Sequence, residues 1–264
     1  MVSMVVEKLN HENAFYVFLT SSQFAYHCSH GSFIPYNKRM RPSLLIGRLG
    51  GTEIRLHWTM LLILPYVFLA FRPETLLDAG RGLLLIGMVF LSVLLHELGH
   101  LAVARMYHVR VSSVVLWALG GAAVTEHEAE DPGAQLLIAV AGPVANLFIA
   151  ALLLIGLVAA GVVSLASGIG VFSLTSNPVL RNLAFIIGTN LILALSNLLP
   201  IYPLDGGRIF RAVLHMFAGP VLSAQITFWI SAVLALVLCV WAALERSWLL
   251  FGTTLLLLAG ALSL

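Results

Sequence analysis

The sequence predicts an all-α polytopic membrane protein of about six transmembrane helices with one short membrane-associated β-hairpin, and three observations carry that reading. About a quarter of the residues in a soluble domain are charged. Here the figure is 10%, against 60% hydrophobic and a mean hydropathy of +0.99. The 264 residues then divide into long apolar runs, and a bilayer crossing needs about 20 apolar residues. The third observation is a cluster of ionisable residues inside one of those runs, where desolvation makes a charge costly unless it has a use. The formal charge of +2 gives no reason to expect nucleic acid as a partner. Two cysteines, Cys28 and Cys239, offer neither a disulfide framework nor a C-x-x-C pair.

Residues 1–44 are mixed in character and read as a poorly ordered N-terminal extension, with Met40 as an alternative start. The apolar patch from Ala14 to Leu19 is too short for a span or a signal-peptide core. Arg48 to His57 alternates Ile54 and Leu56 with charged residues, which predicts a short strand at the membrane edge. Apolar runs follow at 58–71, 82–106, 134–163, 181–199, 221–243 and 248–264. The first and last are short for a full crossing. Between the second and third runs, the β-branched stretch from Val109 to Thr125 carries Gly120-Gly121 and reads as a hairpin. The acidic patch Glu126-His127-Glu128-Ala129-Glu130-Asp131 marks a wet loop, a solvated one in preference to a second metal site.

Lys8, Lys38, Arg39, Arg41, Arg48, Arg55, Arg105, Arg110, Arg208 and Arg211 fall on the N-terminal side of this arrangement, and Arg72, Arg81, Arg181 and Arg246 on the other. The positive-inside tendency then puts the N-terminus in the cytoplasm. No internal repeat is evident, which argues against an inverted-repeat transporter.

The second run contains His96-Glu97-Leu98-Gly99-His100. Positions four apart share a helix face, so the two imidazoles can converge on one metal with Glu97 beside them. A catalytic zinc takes three protein ligands and keeps one position open, so a third partner is needed. Asp205 is the candidate, in Asn197-Leu198-Leu199-Pro200-Ile201-Tyr202-Pro203-Leu204-Asp205-Gly206-Gly207. Pro200 and Pro203 break the preceding helix, and Gly206-Gly207 permit a sharp turn that would aim the carboxylate into the bundle. By the orientation count both segments reach the cytoplasmic side.

H-E-L-G-H on one helix and N-x-x-P-x-x-P-x-D-G-G on a later one resemble the site-2 protease family of intramembrane zinc metalloproteases. The resemblance covers roughly residues 45–215, including Gly120-Gly121 and Ala141-Gly142-Pro143-Val144-Ala145-Asn146. It implies a three-helix catalytic core, one zinc ion held by His96, His100 and Asp205, and Glu97 as acid and base. Asn197 matches the motif asparagine that faces the active site, and Tyr202 stands where the family often has a proline. Gly120, Gly121 and Asn146 become candidate substrate-binding positions, although Gly142, Ala145 and Asn146 also suit close helix packing.

The resemblance further implies a membrane-spanning protein substrate cut near the cytoplasmic face, as in regulated intramembrane proteolysis. The hairpin would pair with the unwound substrate strand. With no PDZ-sized insertion, residues 45–264 form one membrane-embedded metalloprotease domain with its core at about 82–215. A bacterial or archaeal cell membrane fits the positive-inside bias. The rival readings are a zinc transporter or metal-binding channel, disfavoured by Glu97 beside the two histidines, and an inactive binder of membrane helices. His57 beside Trp58 reads as an interfacial anchor, and Gly99 as a point of close helix approach.

Overall fold

A computed structural model describes residues 43–62, 65, 73–117, 120–125, 127, 129–160 and 178–262. The proposed N-terminal extension lies outside these residues apart from Ser43 and Leu44, which open the first strand. Strands β1 (Ser43–Leu49) and β2 (Thr52–His57) precede a short 3-10 turn at Trp58–Leu62. Helix α1 (Leu76–Met106), strands β3 (Val111–Trp117) and β4 (Gly120–Thr125), and helices α2 (Pro132–Ala159), α3 (Pro178–Asn197), α4 (Asp205–Leu244) and α5 (Trp248–Ala261) complete the chain.

Local chemistry sets the helix starts. The Thr75 hydroxyl accepts the Asp78 N–H at 3.1 Å and donates to the Asp78 carboxylate at 2.6 Å, which caps α1. Asp131 Oδ2 accepts the Ala134 N–H at 2.7 Å, and Pro132 fills the first helical position of α2, where its missing N–H costs nothing. One acid of the expected wet loop is therefore a helix cap.

The single strand expected at 48–57 is instead a hairpin that turns at Gly50 and Gly51, with φ of +52° and +89°. The hairpin expected from Val109 to Thr125 is present as β3 and β4. The two hairpins join into one sheet in the order β1-β2-β3-β4, antiparallel except for the parallel β2–β3 pair. Parallel neighbours need a long crossover, and α1 lies on that connection between β2 and β3. Arg105, in the last turn of α1, fastens the β1–β2 turn by donating to Leu49 O, to Gly50 O at 3.0 Å and to Thr52 Oγ1 at 3.1 Å. A residue counted for membrane orientation is thus also a clamp. Leu101 and Ala104 of α1, Val109, Val111 and Val114 at β3, and Ile138 of α2 form the core under the sheet.

α2 is the central helix, packed against α1, α3 and α4. Gly99 admits it: a Cβ there would stand 2.7 Å from Ala141 O and 3.0 Å from the Ala145 methyl. Outward faces are apolar, with Leu84 and Leu91 on α1 and Phe148 and Leu152 on α2 exposed, as lipid contact requires.

Among the described residues four helices are long and apolar enough to cross a membrane: α1, α2, α3 and α4. α5, with 14 residues, reaches only about 21 Å at 1.5 Å per residue. Part of the first apolar run, 58–71, lies outside the described residues. α4 is not one straight rod. Gly219 has φ +77° and precedes Pro220, and the Tyr202 N–H donates to Ser231 Oγ at 2.9 Å. A straight helix from Asp205 to Ser231 would span about 39 Å, so the chain doubles back at Gly219. The returning limb turns Ser223, Thr227, Ser231, Ala235 and Cys239 inward, a stripe of small side chains that lets helices approach closely.

Candidate metal centre and active site

His96, Glu97 and His100 lie on α1 toward its C-terminal end, the end that carries the sheet, and all three are buried. Asp205 opens α4 and is 1% exposed. The seven residues between Asn197 and Asp205 bring that carboxylate back to α1. His96 Nε2 lies 3.0 Å from Asp205 Oδ2, His100 Nε2 lies 3.2 Å from the same oxygen, and the two Nε2 atoms are 3.2 Å apart. Three buried donors thus converge on one point from helices far apart in sequence.

The expected turn at Gly206-Gly207 is absent, because both residues are already helical. Their missing side chains matter for packing. A Cβ on Gly206 would strike the carbonyls of Leu198 and Leu199, and one on Gly207 would strike the Tyr202 N–H. The glycines let the first turn of α4 lie on the loop before it, which fixes Asp205 in place.

These residues fit a zinc ion. Ligands at about 2.0–2.1 Å in a tetrahedron lie about 3.3 Å from each other, close to the spacings here. Asp205 Oδ1 is buried with no hydrogen-bond partner, the Arg208 guanidinium standing beyond hydrogen-bond reach of it, which leaves its lone pairs open to a cation. Gly142 adds room: a Cβ there would collide with His100 Nε2 and stand 2.7 Å from His96 Nε2. Two imidazoles and a carboxylate are also a usual zinc donor set.

Each of the three side chains is held from behind. His100 Nδ1 donates to Ile138 O at 2.7 Å, the Asn146 amide nitrogen lies 3.2 Å from His96 Nδ1, and Arg208 Nη1 lies 3.9 Å from Asp205 Oδ1. Sequence reasoning did not find these supports. A signal existed, because Ile138, Gly142 and Asn146 are four residues apart and so share one face of α2.

Of the positions expected to touch substrate, Gly121 borders the site, and a Cβ there would be 2.7 Å from Glu97 Cγ. Gly120 precedes it with φ +156°. Asn146 is 0% exposed, and its side-chain amide faces His96. The Asn197 amide donates to Leu193 O of its own helix at 3.0 Å. Glu97 and His100 line a small pocket with Val111, Ala123, Thr125 and Arg208. A second pocket shares Ala104, Thr125, Ile138 and Arg208 with it and extends to Tyr202 and Arg211.

His57 Nδ1 is 3.0 Å from Thr59 Oγ1, with its ring tilted against Trp58 at 5.8 Å, as an anchor beside the first apolar run would be. Partial burial lowers its pKa. Glu53 has its pKa lowered by the guanidinium groups of Arg55 and Arg48. These charges belong to the sheet and not to the site.

Fold and site together define a polytopic membrane protein with an intramembrane ligand cluster of the metallopeptidase type. The model of peptidase family M50 matches residues 84–171 and 158–241. The chain belongs to that family. It is 37% identical over 190 residues to Rip3 of Mycobacterium tuberculosis, covering 66% of this chain and 44% of that relative. It is 31% identical over 223 residues to the zinc metalloprotease MJ0392 of Methanocaldococcus jannaschii, covering 84% of this chain and 60% of the relative. The chain therefore spans less than two thirds of these relatives' length. Among solved structures it resembles the site-2 protease from Methanocaldococcus jannaschii, with a TM-score of 0.59 and 29% identity over 84% of this chain and 94% of that one.

Proposed function

We propose that the protein is a zinc-dependent intramembrane endopeptidase that cuts membrane-tethered substrates in or near their transmembrane segments. The observation that carries this reading is the buried cluster of His96, His100 and Asp205, with Glu97 next to His96 in the chain. In it His96, His100 and Asp205 hold one zinc ion, which when bound supplies Lewis-acid activation of water and of the scissile carbonyl. The Glu97 carboxylate takes the proton that the attacking water loses, then returns it to the leaving amide nitrogen. Asn197 is the candidate for a hydrogen bond to substrate or oxyanion, a role that requires its amide to leave Leu193 O. Burial of all four ionisable groups keeps bulk water from competing for them.

A substrate helix must unwind before its carbonyls can react. Among the described residues β4 is an edge strand, with Gly121 against Glu97, and it offers the unwound segment a row of backbone partners. Taken over six spans, the positive-inside count supports a cytoplasmic N-terminus, and with it cleavage near the cytoplasmic face of a cell membrane, releasing a membrane-tethered regulator. A transport role has less support, since permeation gives no reason for Glu97 beside the ligands.

The test is reconstitution with a single-span substrate. Wild type should cleave, 1,10-phenanthroline should stop it, and added zinc should restore it. Glu97→Gln should keep near one zinc per chain and lose cleavage, while His96→Ala and Asp205→Ala lose both. Cleavage that survives Glu97→Gln overturns the mechanism, and zinc flux into liposomes that survives it favours the transporter.

A further inference from the structure

His96 presents Nε2 to Asp205 Oδ2 at 3.0 Å and to His100 Nε2 at 3.2 Å, so the lone pair that would hold a metal is on Nε2. A neutral imidazole carries one proton, which must then sit on Nδ1 and be donated. The group facing Nδ1 is the Asn146 side-chain amide, with its nitrogen at 3.2 Å. Two donors would confront each other in that orientation, and Asn146 Oδ1 is left buried without a partner. Half a turn of the amide resolves both difficulties, because the oxygen and nitrogen ends have the same shape. Oδ1 then accepts the His96 Nδ1–H.

We propose that Asn146 is a positioning residue for the metal centre, fixing the tautomer and ring plane of His96 by accepting its Nδ1–H. The inference rests on the zinc reading above and replaces the expected substrate contact of Asn146. Its counterpart is Ile138, whose backbone carbonyl accepts the His100 Nδ1–H at 2.7 Å. Both supports come from α2, two helical turns apart, so the central helix of the bundle aligns both imidazoles. Gly142 lies between them on the same face and leaves the space where the Nε2 atoms converge. A merely helix-bridging asparagine would not need an acceptor at this one atom.

The test measures zinc affinity of the full-length protein in nanodiscs, by competition with a chromophoric chelator, alongside the visible spectrum of the cobalt-loaded protein. Losing a histidine's outer partner costs about 10- to 100-fold in metal affinity. Asn146→Leu and the smaller Asn146→Ala should lose that much and shift the cobalt bands, while Asn146→Asp, which keeps an acceptor, should retain wild-type affinity or exceed it. The proposal is overturned if Leu and Ala bind zinc within twofold of wild type, or if Asp is impaired as much as they are. Wild-type protein that binds no zinc defeats the metal reading itself, a separate and visible failure.

Discussion

Gly121 of the edge strand β4 lies directly on the Glu97 side chain, close enough that a Cβ would stand 2.7 Å from Glu97 Cγ and 3.1 Å from Oε1. Real side chains do not pack at that distance, so a larger residue must displace either the strand or the carboxylate. Misplacing a reacting group by about 1 Å costs about 100-fold in rate. Gly121→Val should therefore reduce cleavage by about that factor while zinc content stays at one per chain. Cleavage within threefold of wild type would show that Glu97 does not need the place the glycine gives it.

Gly142 makes a matching prediction on the metal side. Its missing side chain is the room beside His96 Nε2 and His100 Nε2. Alanine is a better helix former than glycine by about 1 kcal/mol, so Gly142→Ala should leave helix content by circular dichroism intact. Zinc stoichiometry should nonetheless fall toward zero, because the methyl occupies the point where the imidazoles meet. Full zinc loading in a folded Gly142→Ala protein would place the ion elsewhere.

The contrast between ligands and supports explains what could be read from the residues alone. His96, Glu97 and His100 are local, since one helix period fixes their shared face, and Asp205 follows a loop whose prolines mark a break. The hairpin from β3 to β4 was legible for the same reason, as a short β-branched stretch around a glycine pair. The parallel pairing of β2 with β3 was not. It joins Glu53 to Ser113 across the whole of α1, and no short-range pattern specifies a partner so far away. The reversal at Gly219 was only half visible: 221–243 read as its own run, but the helix that leads into it from Asp205 did not. Asn197 and Asn146 show a further limit, because composition says that an asparagine inside a bundle needs a partner and leaves open which one.

Asn190 gives a quantitative case of that partnership. It is buried in α3, and its amide donates to Ser92 Oγ on α1 at 3.0 Å. Side-chain bonds between membrane helices are worth about 0.6 kcal/mol on average. A double-mutant cycle of Asn190→Ala and Ser92→Ala, read by unfolding in mixed micelles, should give a coupling near about 0.6 kcal/mol. A coupling of zero would mean that each side chain finds another partner once the first is gone.

Arg105 should matter to the sheet more than to membrane orientation. Its guanidinium holds Leu49 O, Gly50 O and Thr52 Oγ1 together, and Thr52 Oγ1 in turn donates to Val111 O at 2.8 Å. Hydrogen bonds to a charged donor contribute about 1.5–3 kcal/mol when sheltered, and partial exposure places this clamp at or below the low end. Arg105→Gln should speed proteolytic nicking at the Gly50-Gly51 turn several-fold, with zinc content unchanged. Unaltered nicking would assign Arg105 to topology alone.

The substrate's conformation at the moment of cleavage can be read from β4. Among the described residues β4 has a neighbour on one side only, and Gly121 sets that strand against Glu97. An extended substrate segment paired there presents alternate residues to the same face, whereas a helical one returns to a face every third or fourth residue. With Cys28 and Cys239 replaced by Ala, a single cysteine at Val124 should form disulfides with cysteines scanned through an uncleaved substrate bound to Glu97→Gln. Trapping should peak at every second substrate position near the scissile bond. A period of three to four would mean that the substrate enters as a helix and unwinds only after it has left the sheet edge, and β4 would then have no part in presenting it.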